Sequence, residues 1–151
     1  MIAEQIMSTE VTTVLPSLQI RELAILFVDR NISGAPVTDD EGDFLGIVTE
    51  EDLIFQDKKI HLPTFLNFFS KIIPLGMAQM EEEIKKICGT LVNDVMQKEP
   101  NTISKEATIE DIATIMTEQK TYYLTVLENS RVVGVVTKRD LIKAVAKGKI
   151  W

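Results

Sequence analysis

Two stretches of the sequence place the same residue types at the same spacing. Residues 46–52 and 134–140 both read Gly-x-x-Thr-x-x-Asp, where an apolar run gives way to a helical pattern. Free backbone N–H groups at a helix start, a hydroxyl and a nearby cation attract phosphate. An aspartate one turn into the helix can accept both hydroxyls of a ribose. The two motifs therefore predict binding of a phosphorylated sugar.

The same motif also has a purely structural interpretation. A threonine followed three residues later by an acid resembles a capping box, in which the Thr hydroxyl accepts a backbone N–H at the helix start. This interpretation explains Thr49 and Thr137 without any ligand. The two interpretations are compatible, and the residues leave both open.

Both motifs lie in an internal repeat that covers most of the chain. Placing Ile6-Met7 over Val95-Met96, a shift of 89 residues from 6 to 95, also places Thr13 over Thr102. A one-residue deletion in the second copy changes the shift to 88 and brings the two Gly-x-x-Thr-x-x-Asp motifs into register. Because one gap aligns both copies, we infer a duplication.

Each copy predicts an extended segment, a helix, two strands joined by a polar turn and a second helix, over about 50–60 residues. The first helix of each copy should bury one stripe, comprising Ile20, Leu23, Ala24 and Phe27 in one and Ile109, Ile112, Ala113 and Met116 in the other. A unit of this size is near the lower limit for an independent core. We therefore predict an α/β (α+β) fold in which two repeats, each a small sheet with two helices, pack about a pseudo-twofold axis.

The predicted boundaries are residues 1–57 for the first repeat, 58–90 for a helical insertion and 91–151 for the second repeat. The insertion contains an apolar group rich in phenylalanine, at residues 65–73. Core packing is the default interpretation of this group, and a hydrophobic dimer surface is the alternative. The sequence does not decide whether Trp151 packs or frays.

The two copies resemble a pair of CBS domains, the arrangement often called a Bateman module. The resemblance rests on the doubled motif, on the leading segments at residues 6–7 and 94–96, and on the Gly-Ala-Pro-Val strand at residues 34–37. It covers roughly residues 2–57 and 91–147. It implies a cleft between the paired domains that binds adenosine-containing ligands such as AMP, ADP, ATP or S-adenosylmethionine. Such pairs usually form homodimers and regulate another protein.

The resemblance also implies roles for individual residues. Asp52 and Asp140 would hold ribose hydroxyls, and Thr49 and Thr137 would meet phosphate. The adenine pockets would be lined by Thr13, Val14, Gly34, Ala35 and Pro36, and by Thr102, Ile103, Tyr122, Tyr123, Leu124 and Thr125. Thr125 stands where the family usually has proline, and either tyrosine could stack on a purine.

The charged residues inside the two motifs differ in sign. The second motif contains Lys138 and Arg139, whereas the first contains Glu50 and Glu51. Cations attract phosphate and acids repel it, even when solvent screens them. We therefore expect the second motif to anchor a phosphorylated ligand. The first would prefer a less anionic adenosine derivative, require Mg²⁺ or stay empty; alternatively, all four side chains simply face water.

Composition and single residues exclude several classes of function. The formal net charge of −7 argues against nucleic acid as the main partner. The longest apolar stretches fall short of the ~20 residues that a membrane-spanning helix needs, so we expect no membrane anchor. Cys88 is the only cysteine and no signal peptide is visible, which favours the cytoplasm. His61 is the only histidine, so no catalytic triad, metal site or resident cofactor is predicted.

These observations favour a non-catalytic regulatory module that binds an adenosine nucleotide (AMP, ADP or ATP, with Mg²⁺ possible for ATP) between two CBS repeats. We expect a homodimer that signals to a regulated protein by conformational change. One alternative is an interaction or dimerisation scaffold with degenerate clefts, and another is a sensor of S-adenosylmethionine or NAD(H). An enzyme has the least support, because one His and one Cys cannot supply a nucleophile–base pair.

Overall fold

The described residues form two three-stranded sheets with helices beside them, and one strand of the first sheet comes from the second half of the chain. The computed structural model describes residues 1–54 and 90–148. The first described stretch contains α1 (Ala3–Ile6), α2 (Ile20–Arg30), β1 (Gly34–Thr38), β2 (Phe44–Thr49) and α3 (Glu50–Ile54). The second contains α4 (Val92–Val95), β3 (Gln97–Lys98), β4 (Thr102–Ile103), α5 (Ile109–Gln119), β5 (Tyr123–Glu128), β6 (Arg131–Thr137) and α6 (Lys138–Ala146). The predicted helical insertion, its phenylalanine-rich group and Trp151 lie outside the described residues, except for Thr90.

A hairpin forms the centre of each sheet, as the alternation of apolar and turn residues predicts. Strands β1 and β2 pair antiparallel with Ala35 opposite Val48, and β5 and β6 pair with Leu124 opposite Val136. In the second hairpin the turn residues Asn129 and Ser130 both have positive φ, the conformation that two-residue hairpin loops require. The predicted α+β fold of two similar repeats is confirmed.

Helices α2 and α5 bury the stripes that helical spacing predicts, with two exceptions, and the first, Ala24 in α2, is only half-buried. Ile20, Leu23 and Phe27 are buried in α2, and α5 buries Ile109, Ile112 and Met116. Ala113 was expected in the α5 stripe but is exposed, because the helix contacts its core along a narrower face than the full i, i+3, i+4, i+7 pattern. Each stripe packs on the buried face of its own hairpin.

The short segments at the start of each repeat cross to the opposite half. We call residues 2–8 and 91–97 the leading segments. Ala3 is fully buried in the core of the second half, and its N–H donates to the carbonyl of Ala107. Val92 is fully buried in the core of the first half, and its N–H donates to the carbonyl of Leu18. Each core is therefore completed by the other half's leading segment.

The exchange also extends both sheets. Gln97 in β3 pairs antiparallel with Ile47 at the edge of the first sheet, and Ser8 forms the equivalent bridge to Val135 in the second. Strand β4 pairs parallel to β5, and the single bridge between Val14 and Val37 takes the same place in the first half. The pairing follows the pseudo-twofold relation that the repeat predicts.

The glycine of each motif allows a leading segment to cross closely over the sheet. A Cβ at Gly46 would lie far inside van der Waals contact with the backbone carbonyl oxygen of Gln97. A Cβ at Gly134 would lie 2.6 Å from the sulfur of Met7 and 3.1 Å from the carbonyl oxygen of Ser8. The motif therefore needs glycine for the exchange of segments, whatever the ligand.

Gly46→Ala is expected to lower the free energy of unfolding by about 2–3 kcal/mol, the upper range for overpacking, since a backbone carbonyl cannot move aside cheaply. Gly134→Ala should cost only about 1 kcal/mol, because its nearest neighbour is a flexible methionine side chain. Urea denaturation of both variants measures the difference. Equal losses would contradict this explanation of the motif glycines.

Candidate functional site

The starts of helices α3 and α6 meet at a cleft between the two halves. The cleft has a volume of about 630 Å³, within the range typical of small-molecule sites. Its lining comes from Ser8, Glu10–Thr12, Asn31–Gly34, Glu50–Glu51, Tyr122–Tyr123, Val135, Thr137–Asp140 and Ile142–Lys143. Both halves and one leading segment therefore contribute to a single site.

Asp140 is the buried carboxylate on the wall of this cleft, with 7% of its surface exposed. Its Oδ2 accepts hydrogen bonds from the backbone N–H and the hydroxyl of Thr137, at 2.8 and 2.9 Å. Within residues 1–54 and 90–148, its Oδ1 accepts only a long contact from the hydroxyl of Ser8, at 3.5 Å. One oxygen therefore fixes the carboxylate, and the other keeps acceptor capacity.

Asp52 is held by its own threonine in the same way. Its Oδ2 accepts from the N–H and hydroxyl of Thr49, at 2.8 and 3.1 Å. In both motifs the Thr hydroxyl donates to the aspartate. The capping box that the sequence predicts is present at Thr137, where Asp140 accepts the backbone N–H of Thr137. The hydroxyl donates to the carboxylate because a charged acceptor forms a stronger hydrogen bond than a neutral one.

Seven of the predicted site residues line the cleft: Gly34, Tyr122, Tyr123, Thr137, Lys138, Arg139 and Asp140. Ten others do not: Thr13, Val14, Ala35, Pro36, Thr49, Asp52, Thr102, Ile103, Leu124 and Thr125. Many of the ten are strand residues whose side chains are buried; Val14 and Ile103, for example, belong to the two cores. The predicted roles of the seventeen residues stay predictions.

The acidic and basic residues of the two motifs lie on the same cleft. The repeat predicts one site at Glu50 and Glu51 and another at Lys138 and Arg139, but all four residues line this one cleft. The pseudo-twofold axis brings the starts of α3 and α6 to one cavity, which a reading of each repeat by itself does not reveal. The two bases lie on α6 and the two glutamates on α3, so the two helices bring charges of opposite sign to the cleft.

The two tyrosines differ in what they can offer a ligand. Tyr122 is 53% exposed, and the Nζ of Lys138 lies 5.3 Å from its ring centroid, within cation–π range. Tyr123 is buried, and its ring carbons would lie 2.9 Å from a Cβ at Gly34. Burial, and then the charge of Asp140, hold the pKa of the Tyr123 phenol well above its usual value. Tyr122 therefore offers an accessible ring for stacking, whereas Tyr123 contributes a buried, uncharged side chain to the lining of the cleft.

The sequence patterns did not predict Ser8, at the end of the first leading segment, or Glu10–Thr12, just after it, as lining residues of the cleft. No local pattern shows that this segment crosses to the opposite half, because the crossing depends on long-range pairing. Ile142 and Lys143 were also missed. They could have been found, because they lie three and four residues after Arg139 and hence on the same helical face.

Two negative findings apply to the described part of the chain. Within residues 1–54 and 90–148, no group of three or more His, Cys, Asp or Glu residues could hold a metal ion. No helix among the same residues has the length and apolar character needed to cross a membrane.

Thr125 carries a buried polar atom that needs an explanation. It is fully buried in β5, and its Oγ1 has no hydrogen-bond partner among the described residues. A buried hydroxyl without a partner destabilises a folded protein. It lies outside the cleft lining, so its predicted place in an adenine pocket gains no support.

The CBS domain family matches the chain twice, at residues 3–58 and 92–147. These matches include both hairpins, both motifs and nearly all of both leading segments. The chain therefore belongs to the CBS-domain family and carries its domain as a tandem pair.

Relatives of this chain come from archaea, bacteria and plants. It is 32% identical over 130 residues to the uncharacterized protein MJ1426 of Methanocaldococcus jannaschii, covering 79% of this chain and 76% of that one. It is 25% identical over 133 residues to the chloroplastic CBS domain-containing protein CBSX2 of Arabidopsis thaliana, covering 85% of this chain. The match spans only 56% of the CBSX2 sequence.

Solved structures share the fold. The crystal structure of CBSX2 in complex with AMP superimposes with a TM-score of 0.71 at 22% identity, covering 98% of each chain. The CBS domain of a membrane protein from Sphaerobacter thermophilus gives a TM-score of 0.73 at 25% identity, covering 94% of this chain and 86% of that one. The CBS pair of MJ0100, solved with 5′-methylthioadenosine and S-adenosyl-L-methionine, gives 0.69 at 18% identity, covering 96% and 99%.

Thr125→Val should raise the melting temperature by a few degrees, since it removes an unpartnered hydroxyl at nearly constant volume and so adds about 1 kcal/mol. Differential scanning calorimetry measures the change. Thr117→Val is the matched control: its hydroxyl is exposed and donates to the carbonyl of Ala113 at 2.8 Å, so no gain is expected. An unchanged or lower melting temperature for Thr125→Val would mean that the hydroxyl has a favourable partner.

Proposed function

We propose that this chain binds an adenosine nucleotide in the cleft at Asp140 and that occupancy of the cleft regulates another protein. The observation that carries the proposal is the position and the hydrogen bonding of the Asp140 carboxylate. Thr137 fixes it at the wall of a cleft of about 630 Å³, beside two cations on the same helix. The ligand would be AMP, ADP or ATP, with Mg²⁺ accompanying ATP.

The carboxylate geometry suits a ribose. An ionised carboxylate offers about four acceptor sites, and Thr137 takes two of them on Oδ2 of Asp140. In the described part of the chain, Oδ1 receives only the 3.5 Å contact from Ser8. A diol that donates to this oxygen forms charge-assisted bonds, which are the strong class of hydrogen bond. The fixed orientation lowers the entropic cost of making them.

The start of α6 suits a phosphate. Lys138 and Arg139 lie on its first turn and line the cleft. The N-terminal end of a helix also carries a partial positive charge that favours an anion. Tyr122 offers an exposed aromatic face next to Lys138, on which a purine can stack.

Relatives with the same fold support this class of ligand. CBSX2 was solved with AMP, and the CBS pair of MJ0100 with 5′-methylthioadenosine and S-adenosyl-L-methionine. All three ligands contain an adenosine moiety. A sensor of S-adenosylmethionine or NAD(H) is therefore the nearest alternative, and the thermal panel below separates it from a nucleotide sensor.

The signal would be a change in how the halves pack. Both halves line the cleft, so a ligand that fits one arrangement better shifts the population towards it. We propose a cytoplasmic homodimer that passes this shift to a regulated protein and performs no catalysis itself. The alternative of a scaffold without ligand is favoured by Glu50 and Glu51, whose charges in the same cleft oppose phosphate binding.

A thermal-shift panel of AMP, ADP, ATP, S-adenosylmethionine and NADH tests the proposal. A ligand present at 100 times its dissociation constant adds about 2.7 kcal/mol of stability. We expect at least one nucleotide to raise the melting temperature, and no response to any compound would favour the scaffold.

Asp140→Asn should weaken binding of the responding nucleotide at least about 10-fold, because bonds to the charged carboxylate are each worth about 1.5–3 kcal/mol. Calorimetric titration measures the affinity. Asp111→Asn is the matched control: Asp111 also accepts an N–H at a helix start, from Thr108, but lies outside the cleft. Equal affinity in all three proteins would contradict a role for Asp140.

Charge substitutions in the cleft should act in opposite directions. We expect Arg139→Glu to weaken ATP binding and Glu51→Gln to strengthen it, each by about 3- to 10-fold, from a Coulomb energy of about 1 kcal/mol between solvent-screened charges. Calorimetry at low and high salt checks this, since the differences should shrink as salt rises. Unchanged affinities would show that these side chains only face water.

A further inference from the structure

Asp52 and Asp140 occupy equivalent positions in the two copies, but their carboxylates have different partners. Both Oδ2 atoms are held by the threonine of the motif. Asp52 additionally accepts from the side-chain amide of Gln97, whose Nε2 lies 3.2 Å from Oδ1 and 3.2 Å from Oδ2. Beyond Thr137, Asp140 has one donor among the described residues, the hydroxyl of Ser8, at 3.5 Å from Oδ1.

Residues 8 and 97 are themselves equivalent. Each follows the methionine that aligns in the two leading segments, and the shift of 89 residues places Ser8 over Gln97. Each also bridges the opposite sheet at the same place, Ser8 at Val135 and Gln97 at Ile47. The backbone pairing therefore places the side chain of residue 8 or 97 beside the motif aspartate of the opposite half.

The two side chains differ in what they do there. Glutamine carries an NH₂ group on a long side chain, and its Nε2 bridges both oxygens of Asp52, where ribose hydroxyls would have to bind. Serine is short and has a single O–H, whose long contact leaves most of Oδ1 available. The asymmetry thus arises from one position in each leading segment.

We propose that the side-chain amide of Gln97 occupies the carboxylate oxygens of Asp52 and so prevents a ribose from binding there. Each chain therefore takes up one adenosine nucleotide, at Asp140. This inference rests on the proposed function and adds to it the number of ligands and the residue that sets it.

The position can be exchanged between the two halves. Gln97→Ser gives position 97 the residue that stands at the equivalent position 8. The carboxylate of Asp52 then loses its amide partner. A second AMP should then bind, and adding Asp52→Asn to this variant should remove it again. In Ser8→Gln the amide should cover Asp140 and weaken AMP binding at least about 10-fold.

Titration calorimetry and native mass spectrometry with AMP count the ligands in each protein. We expect one AMP per wild-type chain and two per Gln97→Ser chain. Gln119→Ser, at the exposed end of α5, is the matched control and should keep one. Circular dichroism confirms that each variant is folded; Gln97→Ala replaces Gln97→Ser if that one is not.

The outcomes separate the inference from the proposed function. Two AMP molecules on the wild-type chain would overturn the inference while leaving the proposed function intact. One AMP on both wild type and Gln97→Ser would show that Gln97 does not close Asp52. No binding to any variant, together with no response in the thermal panel, would overturn the proposed function and the inference with it.

Discussion

The backbone bonds between each leading segment and the opposite sheet hold the two halves of the described chain in register. Ser8 exchanges both backbone hydrogen bonds with Val135, at 2.9 and 3.0 Å, and Gln97 pairs with Ile47 in the other half. Backbone N–H and C=O groups must find partners when they are buried, so these pairings fix where each segment crosses. The cleft exists because the crossings hold the two motif helices on one side of the molecule.

The same crossings place the polar groups that a ligand would meet. The segment that completes the second core through Ala3 also carries Ser8 to the edge of the cleft. A ligand at Asp140 would therefore lie against a segment that is part of the hydrophobic core. Ligand binding and the packing of the two halves are linked through one short stretch of chain, which is the physical basis of the proposed regulation.

The fold was predictable because its signals are local. The hairpins follow from alternating apolar residues around polar turns, and the buried stripe of α2 follows from the spacing of Ile20, Leu23 and Phe27. The exchange of leading segments was not predictable, since pairing between Ser8 and Val135 leaves no local pattern. The charged residues were assigned to separate sites for the same reason. Glu51 and Arg139 share a cleft only because the halves meet there.

The exchanged segments also have a consequence for how the chain is made on the ribosome. The first core needs Val92, which is synthesised long after β1 and β2, and the second core needs Ala3, which is synthesised long before the strands it packs against. Neither core can close until the second leading segment has left the exit tunnel, and the nascent first half keeps apolar surface exposed until then. Contacts of such long sequence separation slow folding, so assembly of both halves should be one cooperative, late event.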